Sequence, residues 1–421
     1  MSEISDMIQR LCPDGVEYRK LGEVGSFYAG LSGKCKDDFK DGNAMFINYL
    51  NVYSNPSLNL NVQEKVRIYN GEKQNIIQKG DILFTGSSET PDECGMSSVV
   101  LEQPSENAYL NSFCFGLRLF NPERFDMIYL KHLLRSTEIR KLISGTASGV
   151  TRFNVSKKRF SMVSIPVPPI EIQRKIGEVL DNFSELTAEL TAELEARKKQ
   201  YEYYRDNLLN FSQIAPPNSV KWMILGDVCR FVNGFAFKST LFKESGDIIL
   251  RITNISELRV DFSEVKYFDT NDYSTDLSAF MVNKGDILIA MSGATTGKIG
   301  RVKDSHKAYI NQRVGRFVPN DNIILNSFLF HFLLTKTNEI YLMAGGGAQP
   351  NLSSTQLMST LLIPIPPLSE QERIVSILDR FEALTTDLTS GLPAEIKARQ
   401  QQYEYYRDQL LTFKRANYDL N

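Results

Sequence analysis

One stretch of the chain resembles a phosphate-binding loop. Residues Ser292–Lys298 read SGATTGK. A nucleotide-binding loop of this kind has four residues between its glycines and a Ser or Thr directly after its Lys. Here three residues separate Gly293 from Gly297, and Ile299 follows Lys298. The spacing argues against a nucleotide site. It favours a loop whose backbone and Lys298 side chain meet a phosphate group of some other ligand.

No other set of side chains has the spacing that catalysis or metal binding requires. His132, His306 and His331 are far apart, and two of them lie in apolar segments typical of a core or an interface. Pro91-Asp92 has no acid-x-Lys partner of the nuclease type, and no dinucleotide fingerprint follows a strand. The sequence therefore predicts no catalytic residue, no cofactor and no metal. The cysteines form no C-x-x-C pair and are predicted to be free thiols in a reducing cytoplasm: Cys12, Cys35, Cys94, Cys114 and Cys229.

The elements that must position any functional residue are repeated. YEYYRD occurs at Tyr201–Asp206 and again at Tyr403–Asp408. Each copy closes a segment that opens with a proline-rich stretch, IPVPPIEIQ from Ile165 and IPIPPLSEQ from Ile363. A repeat of this length decides the architecture before any local motif does.

The repeated segments predict two long helices. Apolar residues recur at alternating steps of three and four, which is the seam of a coiled coil. No Gly or Pro interrupts Glu178–Gln213, so one continuous helix is expected there. The second copy carries Gly391 and Pro393, which predict a break. Antiparallel packing of the two copies is the economical arrangement, and the alternative is two amphipathic helices in two separate cores.

The regions between these helices are also repeated. Leu21-Gly-Glu-Val24 matches Leu225-Gly-Asp-Val228, and Lys79-Gly-Asp-Ile-Leu83 matches Lys284-Gly-Asp-Ile-Leu288. The Lys-Gly-Asp stretch predicts a turn that enters a buried strand. After that strand the halves diverge. Matching landmark motifs with non-matching loops indicate two related binding modules with different targets.

Charge is unevenly distributed along the 421 residues, whose net charge is −2. Arg118–Arg159 holds ten basic and three acidic side chains, and Lys284–Arg316 holds seven and two. Local patches of this kind make a phosphate-binding surface even in a neutral protein. No apolar run reaches the length of a membrane span, and the N-terminus lacks a signal-peptide core, so a cytoplasmic protein without membrane contact is expected.

Taken together, these features resemble the specificity subunit of type I restriction–modification systems. The resemblance rests on P-x-P-P-x-x-x-Q, read as PVPP in the first copy and PIPP in the second, with QYEYYRD in both copies and the two landmarks of each half. The tandem TAEL at Thr187–Leu190 and Thr191–Leu194 resembles the short spacer repeat of one branch of that family. It covers nearly the whole chain.

The resemblance implies an α/β (α+β) fold with two tandem target-recognition domains. Two long helices in an antiparallel coiled coil with pseudo-twofold symmetry would separate them. Each domain would read half of a bipartite double-stranded DNA site. The helices would set the spacer and recruit two modification subunits, and two restriction subunits would complete the complex, leaving this chain non-catalytic. The expected boundaries are 1–13 for a helical segment, 14–165 and 214–363 for the domains, and 166–213 and 364–421 for the spacers.

Base edges are read by polar and basic side chains, while basic groups on phosphates set the register. The DNA-binding candidates of the first domain are Ser87, Ser88, Thr151, Arg152, Asn154, Lys157, Lys158 and Arg159. Those of the second domain are Thr295, Thr296, Lys298, Arg301, Asn311, Arg313, Gln349 and Asn351. Tyr203 and Tyr405 lie beside the helical seam and are the candidates for binding a partner subunit.

Two alternatives belong to other functional classes. A coiled-coil adaptor could join two protein-binding domains without reading DNA, although the basic and polar loops disfavour it. A nucleotide-hydrolysing enzyme would require the phosphate loop that the spacing argues against.

Overall fold

The computed structural model describes residues 2–214, 220–345, 350–387 and 390–416. The chain forms two compact units. The first consists of Met1–Glu189 with Ile396–Asn421, and the second of Leu190–Glu395. Each unit therefore contains one globular region together with parts of both repeated helical segments.

The first unit is a mixed α/β structure. Its strands are β1 (Tyr18–Lys20), β2 (Gly25–Ala29), β3 (Ala44–Ile47), β4 (Lys65–Val66), β5 (Ile82–Thr85), β6 (Ser87–Ser88), β7 (Ser97–Val99), β8 (Ala108–Leu110), β9 (Cys114–Leu119), β10 (Ala147–Gly149), β11 (Phe153–Val155) and β12 (Ser164–Pro166). Its helices are α1 (Ser2–Leu11), α2 (Leu21–Val24), α3 (Tyr49–Ser54), α4 (Met127–Leu133), α5 (Thr137–Ser144), α6 (Lys157–Phe160) and the first half of α7 (Ile170–Leu208). The strands form sheets in the orders β2–β9–β5–β7, β4–β3–β8, β10–β11–β6 and β1–β12.

The second unit repeats this plan with one larger sheet. Its strands are β13 (Lys221–Ile224), β14 (Cys229–Asn233), β15 (Asp247–Leu250), β16 (Leu258–Arg259), β17 (Lys266–Phe268), β18 (Met281–Val282), β19 (Ile287–Ala290), β20 (Ile299–Arg301), β21 (Ala308–Ile310), β22 (Val314–Pro319) and β23 (Leu362–Ile365). The remaining helices are α8 (Phe211–Ile214), α9 (Leu225–Val228), α10 (Asn326–Thr335), α11 (Thr337–Met343), α12 (Ser354–Thr360), α13 (Leu368–Thr386) and α14 (Leu392–Leu410), the last mostly in the first unit. The sheet orders are β14–β22–β19–β20–β16, β17–β15–β21–β18 and β13–β23.

The Lys-Gly-Asp landmark is a turn into the central strand, as predicted. Every residue of β5 is buried, because sheet neighbours lie on both sides and the core covers both faces. Gly80 has φ +86°, a conformation that favours glycine. Asp81 accepts two hydrogen bonds from Arg118, at 2.8 and 2.7 Å. In the second unit Asp286 pairs with Arg316 at 3.0 Å.

The glutamine of the repeated P-x-P-P-x-x-x-Q motif holds the entry to α4 in place. Gln173 is fully buried. Its amide donates to the carbonyls of Pro168 at 2.7 Å and Arg124 at 3.0 Å, and it accepts from the Asp126 N–H at 2.9 Å. Gln371 makes the equivalent three bonds in the second unit. A buried amide with all these bonds made fixes where the domain meets its helix.

The helices differ from the sequence prediction in one detail. The continuous helix ends at Leu208, and α8 resumes at Phe211, so Glu178–Gln213 is not a single helix. The break predicted in the second copy is confirmed, because α13 ends at Thr386 and α14 begins at Leu392.

The two copies of the helical repeat pack in a reciprocal way. In the first unit the ring of Phe183 in α7 stacks on Tyr406 in α14, with centroids 5.3 Å apart. In the second unit Tyr204 in α7 stacks on Phe381 in α13 at 5.4 Å. Each unit thus pairs the first half of one copy with the second half of the other, as antiparallel coiled-coil helices do.

All five cysteines are free, which agrees with the prediction. Within the described residues no helix is both long and apolar enough to cross a membrane.

Candidate nucleic-acid interface

The first-domain candidates come together around one small sheet, β10–β11–β6. Ser87 in β6 lies opposite Asn154 in β11. Thr151 and Arg152 form the turn between β10 and β11. Thr151, Arg152 and Asn154 are exposed, whereas Ser87 is buried. We call this group, together with Ser88, the first reading corner.

Arg152 is held in place without losing its charge. Its Nη2 donates to the Ser87 hydroxyl at 3.1 Å, and its guanidinium lies 4.7 Å from the centre of the Phe113 ring. Among the described residues it forms no ion pair with a carboxylate. Because both neighbours are neutral, the guanidinium keeps its full charge for a phosphate or for guanine acceptors.

The basic triplet after β11 separates into two functional kinds. Lys157 and Lys158 in α6 are exposed. Arg159 instead donates to the carbonyls of Thr146 at 2.8 Å and Ala147 at 3.3 Å. The two lysines are therefore available to phosphates, while Arg159 anchors the backbone that leads into β10.

The second unit has an equivalent corner. Ser292 and Asn351 form an antiparallel bridge, as Ser87 and Asn154 do in the first unit. Arg313 is exposed, and its Nη1 donates to Asn351 Oδ1 at 2.9 Å. No carboxylate pairs with Arg313 in the described part of the chain. We call Ser292, Arg313 and Asn351 the second reading corner.

The loop that resembles a phosphate-binding loop lies beside this corner, and four of its backbone N–H groups are already hydrogen-bonded within the protein. The N–H groups of Gly293, Thr296, Gly297 and Lys298 all donate to carbonyl oxygens. Thr296 is buried, and Thr295 donates its hydroxyl to Ile252 O at 3.2 Å. The expectation that this backbone meets a phosphate stays a prediction, and the exposed Lys298 side chain is available to an anion.

Arg301 does not lie on the reading surface. Its guanidinium contacts the carboxylates of Asp379, at 3.0 Å, and Glu382, and it lies 4.6 Å from the Phe330 ring. Its side chain is only 11% exposed. This gives Arg301 a structural role in joining β20 to α13, because its charge is already neutralised.

Of two further candidates, Asn311 shapes a turn and Gln349 has no described position. Asn311 is half-buried, and its backbone bonds to Leu250 and Val314 to form the turn before β22. Gln349 lies outside the described residues.

The two basic segments predicted from composition are partly neutralised by internal ion pairs, and some of their other cations are bonded to the backbone. Arg135 and Arg140 donate to backbone carbonyls. Ion pairs join Arg118 to Asp81, Arg124 to Glu17, Lys131 to Asp181, Lys303 to Glu382, Lys307 to Asp247 and Arg316 to Asp286. The positive charge that faces solvent near the reading corners is smaller than the composition predicted. It comes from Arg152, Lys157, Lys158, Lys298 and Arg313.

A buried hydrogen-bonded chain locks α14 to the first domain. His132 Nε2 lies 3.1 Å from Asp181 Oδ1, and its Nδ1 lies 2.8 Å from the Tyr403 hydroxyl. An ionised carboxylate only accepts, so Nε2 carries the proton and Nδ1 accepts from Tyr403. Burial lowers the pKa of His132. Burial opposes ionisation of Asp181, but hydrogen bonds from His132 and Lys131 outweigh it and lower its pKa.

The second unit repeats the chain with the other helix. The Tyr201 hydroxyl lies 3.0 Å from His331 Nδ1, and His331 Nε2 lies 2.8 Å from Asp379 Oδ1. Burial lowers the pKa of His331, and it raises the pKa of Tyr201. Both histidines are satisfied core residues, as predicted.

His331, Asp379 and Glu382 also place ligand-type atoms within 4.8 Å of one another. Arg301 contacts both carboxylates, and both nitrogens of His331 are hydrogen-bonded. The positive charge that a cation would bring is therefore already supplied by the protein.

The two partner-binding candidates lie on the solvent side of their helices. Tyr203 is 66% exposed and Tyr405 is 60% exposed. An open cleft of about 630 Å³ adjoins Tyr405 and is lined by Gln401, Glu404, Asp408, Gln409 and Thr412. The heptad pattern placed both tyrosines off the seam, and the structure agrees.

Sequence reasoning missed Glu93, which borders the first reading corner. Its carboxylate accepts from the hydroxyls of Tyr53 and Ser88, each at 2.9 Å. These bonds, with one from Thr90, lower the pKa of Glu93. The available signal was its position in the divergent loop after the central strand.

The chain matches known sequences over most of its length. The family model for the type I restriction modification DNA specificity domain matches twice, at residues 13–197 and 217–398. The type I restriction enzyme EcoR124I/EcoR124II specificity subunit of Escherichia coli is 36% identical over 60% of this chain. That match spans 64% of the relative, slightly under two thirds. A putative type I restriction enzyme specificity subunit of Haemophilus influenzae is 35% identical, over 69% of this chain and 73% of its own length.

Solved structures share the fold. The type I restriction–modification S subunit of M. genitalium superposes with a TM-score of 0.56 at 17% identity, over 94% of this chain and 96% of its own. A chain from a study of complex assembly and conformational transition of the type I R-M system gives 0.58 at 17% identity, over 95% and 98%.

Proposed function

The chain belongs to the family of type I restriction–modification specificity subunits and carries two of the family's DNA specificity domains, and from this we propose that each domain reads one half of a bipartite DNA site. The reading surfaces would be the first and second reading corners. Direct readout would come from the exposed polar and basic side chains at each corner, and the lysines of α6 would set the register on phosphates.

The observation that carries this proposal is the equivalence of the two corners. Each is built on the same Ser–Asn backbone pairing, just after β5 in the first unit and just after β19 in the second. Each also presents an arginine whose charge no carboxylate cancels in the described residues. The side chains that surround the pairing differ, with Arg152 rising from the β10–β11 turn and Arg313 from the turn before β22. Two half-sites of different sequence require the same backbone arrangement with different side chains around it.

We assign the helices to assembly. The exposed Tyr203 and Tyr405 would each contribute to a surface for one of two modification subunits, since large aromatic side chains with a polar tip suit protein interfaces. Methylation, translocation and cleavage would then belong to the two modification and two restriction subunits. This chain would act without a cofactor of its own.

We also assign α7 the role of ruler between the half-sites. The tandem TAEL repeats lie inside this uninterrupted helix, at the point where the chain passes from the first unit into the second. Four residues are roughly one helical turn, so the number of repeats would change the length of α7 while nearly keeping the orientation of its faces.

A domain replacement tests the proposed reading function. Residues 14–165 are exchanged for the equivalent domain of a relative, and the methylated motif is determined by sequencing DNA from cells that carry the complete system. We expect one half-site to change and the other to persist. The matched control exchanges residues 214–363 and should change the opposite half. A single exchange that altered both halves would contradict independent reading.

The coiled-coil adaptor predicts a different result. An adaptor that binds only proteins would give no salt-dependent shift of a DNA duplex in the presence of the modification subunit. A specificity subunit would give such a shift, because phosphate contacts release counterions.

A further inference from the structure

Glu93 lies in the loop that joins β6 to β7 and is held as an ionised carboxylate. Tyr53 donates to Oε1 and Ser88 donates to Oε2, each at 2.9 Å. The side chain remains half-exposed. A carboxylate has about four lone-pair sites, so these bonds fix its orientation and leave acceptor capacity facing solvent.

The backbone around Glu93 is fixed as well. Arg140 in α5 donates to the carbonyls on both sides of it, those of Asp92 and Cys94, at 2.6 Å each. Arg140 also donates to Gly95 O at 2.6 Å. Hydrogen bonds from an ionised donor are stronger than neutral ones, so the position of Glu93 is set from the core of the unit.

Arg135 holds the backbone of Tyr53, the residue that donates to the Glu93 carboxylate. It donates to the carbonyl of Tyr53 at 3.0 Å and to that of Ser97 at 2.8 and 2.6 Å. Tyr53, which orients the carboxylate, is therefore anchored by the same helical region as the loop. Two arginines and two hydroxyls hold one half-exposed acid, which is the preorganisation that a recognition group needs.

The acid borders the first reading corner. Ser88, its hydrogen-bond partner, belongs to β6 and lies opposite Phe153, next to Asn154 in β11. The equivalent loop of the second unit, between β19 and β20, is shorter and exposes Lys298 in place of an acid. The loops beside the two corners therefore present opposite charges.

A carboxylate on a surface that faces DNA is repelled by the phosphates. In the major groove the groups that can compensate it are the exocyclic amines, N4 of cytosine and N6 of adenine. We propose that Glu93 is a specificity-determining residue that accepts a hydrogen bond from such an amine at one position of the first half-site. Tyr53, Ser88 and Arg140 are its positioning residues. This inference rests on the proposed reading function.

The test uses the full chain expressed with its modification subunits. The motif of the unaltered complex is determined first, by sequencing of methylated DNA, and then that of Glu93→Gln. We expect relaxed discrimination at one position of the first half-site, by about 5- to 150-fold, and an unchanged second half-site. The matched control is Glu89→Gln, which removes the same charge from an exposed residue of the same loop and should leave the motif unchanged.

The two amine sources separate in the same experiment. A neutral amide oxygen is a weaker acceptor than a carboxylate, so discrimination should relax with either amine. The base that the unaltered complex prefers at the relaxed position identifies the amine, which is N6 for adenine and N4 for cytosine. Tyr53→Phe keeps the acid but removes one hydroxyl, and it should relax the same position more weakly.

Three outcomes would overturn the inference. The first is an unchanged motif in Glu93→Gln, and the second is a change equal to that of Glu89→Gln. If Glu93→Gln gives no methylation, the readout becomes binding of the complex to DNA duplexes in which each position of the first half-site carries each of the four base pairs in turn. The third outcome is that Glu93→Gln weakens binding to all of these duplexes equally. If the unaltered complex shows no bipartite motif that depends on this chain, the proposed function itself fails.

Discussion

Replacing Lys157 and Lys158 by alanine measures what the exposed cations of α6 contribute to DNA binding. Both side chains are exposed, whereas the neighbouring Arg159 is bonded to backbone carbonyls. Each lost phosphate contact reduces the slope of log K against log salt by about 0.9. The double variant should therefore flatten the slope by about 1.8. A fourfold rise in salt, from 50 to 200 mM, should shrink its affinity deficit about 12-fold.

The assay is equilibrium binding of a duplex with the methylated motif, at four or more salt concentrations, by the chain in complex with its modification subunits. The control variant Lys36→Ala with Lys40→Ala removes the same charge from exposed positions on a separate turn of the same unit. Because phosphates carry no sequence information, the motif itself should not change.

An unchanged slope in the Lys157 and Lys158 variant would refute the placement of α6 against DNA. An equal change in the control would show that net charge, not position, sets the affinity. Arg159→Ala should instead leave the slope nearly unchanged and lower thermal stability, because its donors hold the backbone before β10.

Three further outcomes are expected. Burial lowers the pKa values of His132 and His331 in the folded chain. As pH falls, these histidines are therefore protonated in the unfolded chain before they are protonated in the folded one. The free energy of unfolding should be at its full value above about pH 6.5 and decrease below it. Urea unfolding at pH 7.5 and 5.5 checks this, and a pH dependence that survives replacing both histidines by glutamine would assign it elsewhere. The double variant Tyr203→Ala with Tyr405→Ala should weaken binding of the modification subunit more than it lowers the stability of the chain. Gel filtration measures the binding, thermal melting measures the stability, and Tyr69→Ala is the control. Near-native complex formation by the double variant would count against a partner surface at these tyrosines. Inserting one Thr-Ala-Glu-Leu after Leu194 adds about 6 Å to α7 and should widen the gap between half-sites by one or two base pairs at 3.4 Å each; an active variant with the original spacing would exclude the ruler.

Repeats made the architecture predictable from the sequence. The two copies of P-x-P-P-x-x-x-Q and YEYYRD predicted paired helices, and Gly391 and Pro393 predicted the break between α13 and α14. These predictions succeeded because heptad periodicity and helix-breaking residues act through the local backbone. The early end of α7 at Leu208 was missed, since no Gly or Pro marks it.

The sequence predicted poorly which basic side chains are available to a ligand. Arg152 and Arg301 look alike in the sequence, each in a basic segment beside polar loop residues. The fold places Arg152 against a neutral hydroxyl and an aromatic ring, and it places Arg301 against two carboxylates of α13. Whether a cation is available to a ligand depends on partners distant in sequence, and no local pattern reports them.

The sequence by itself determined the repeated frame, the helices with their seam, and the buried strand after each Lys-Gly-Asp turn, because these depend on periodicity and on short-range backbone preference. Only the tertiary structure decided which polar residues meet. It paired Ser87 with Asn154 and Ser292 with Asn351. It also oriented the Glu93 carboxylate with two hydroxyls and anchored the surrounding backbone with two arginines. Strand pairing and buried hydrogen bonds join residues far apart in the chain, and the chemistry of the reading surfaces depends on those long-range contacts.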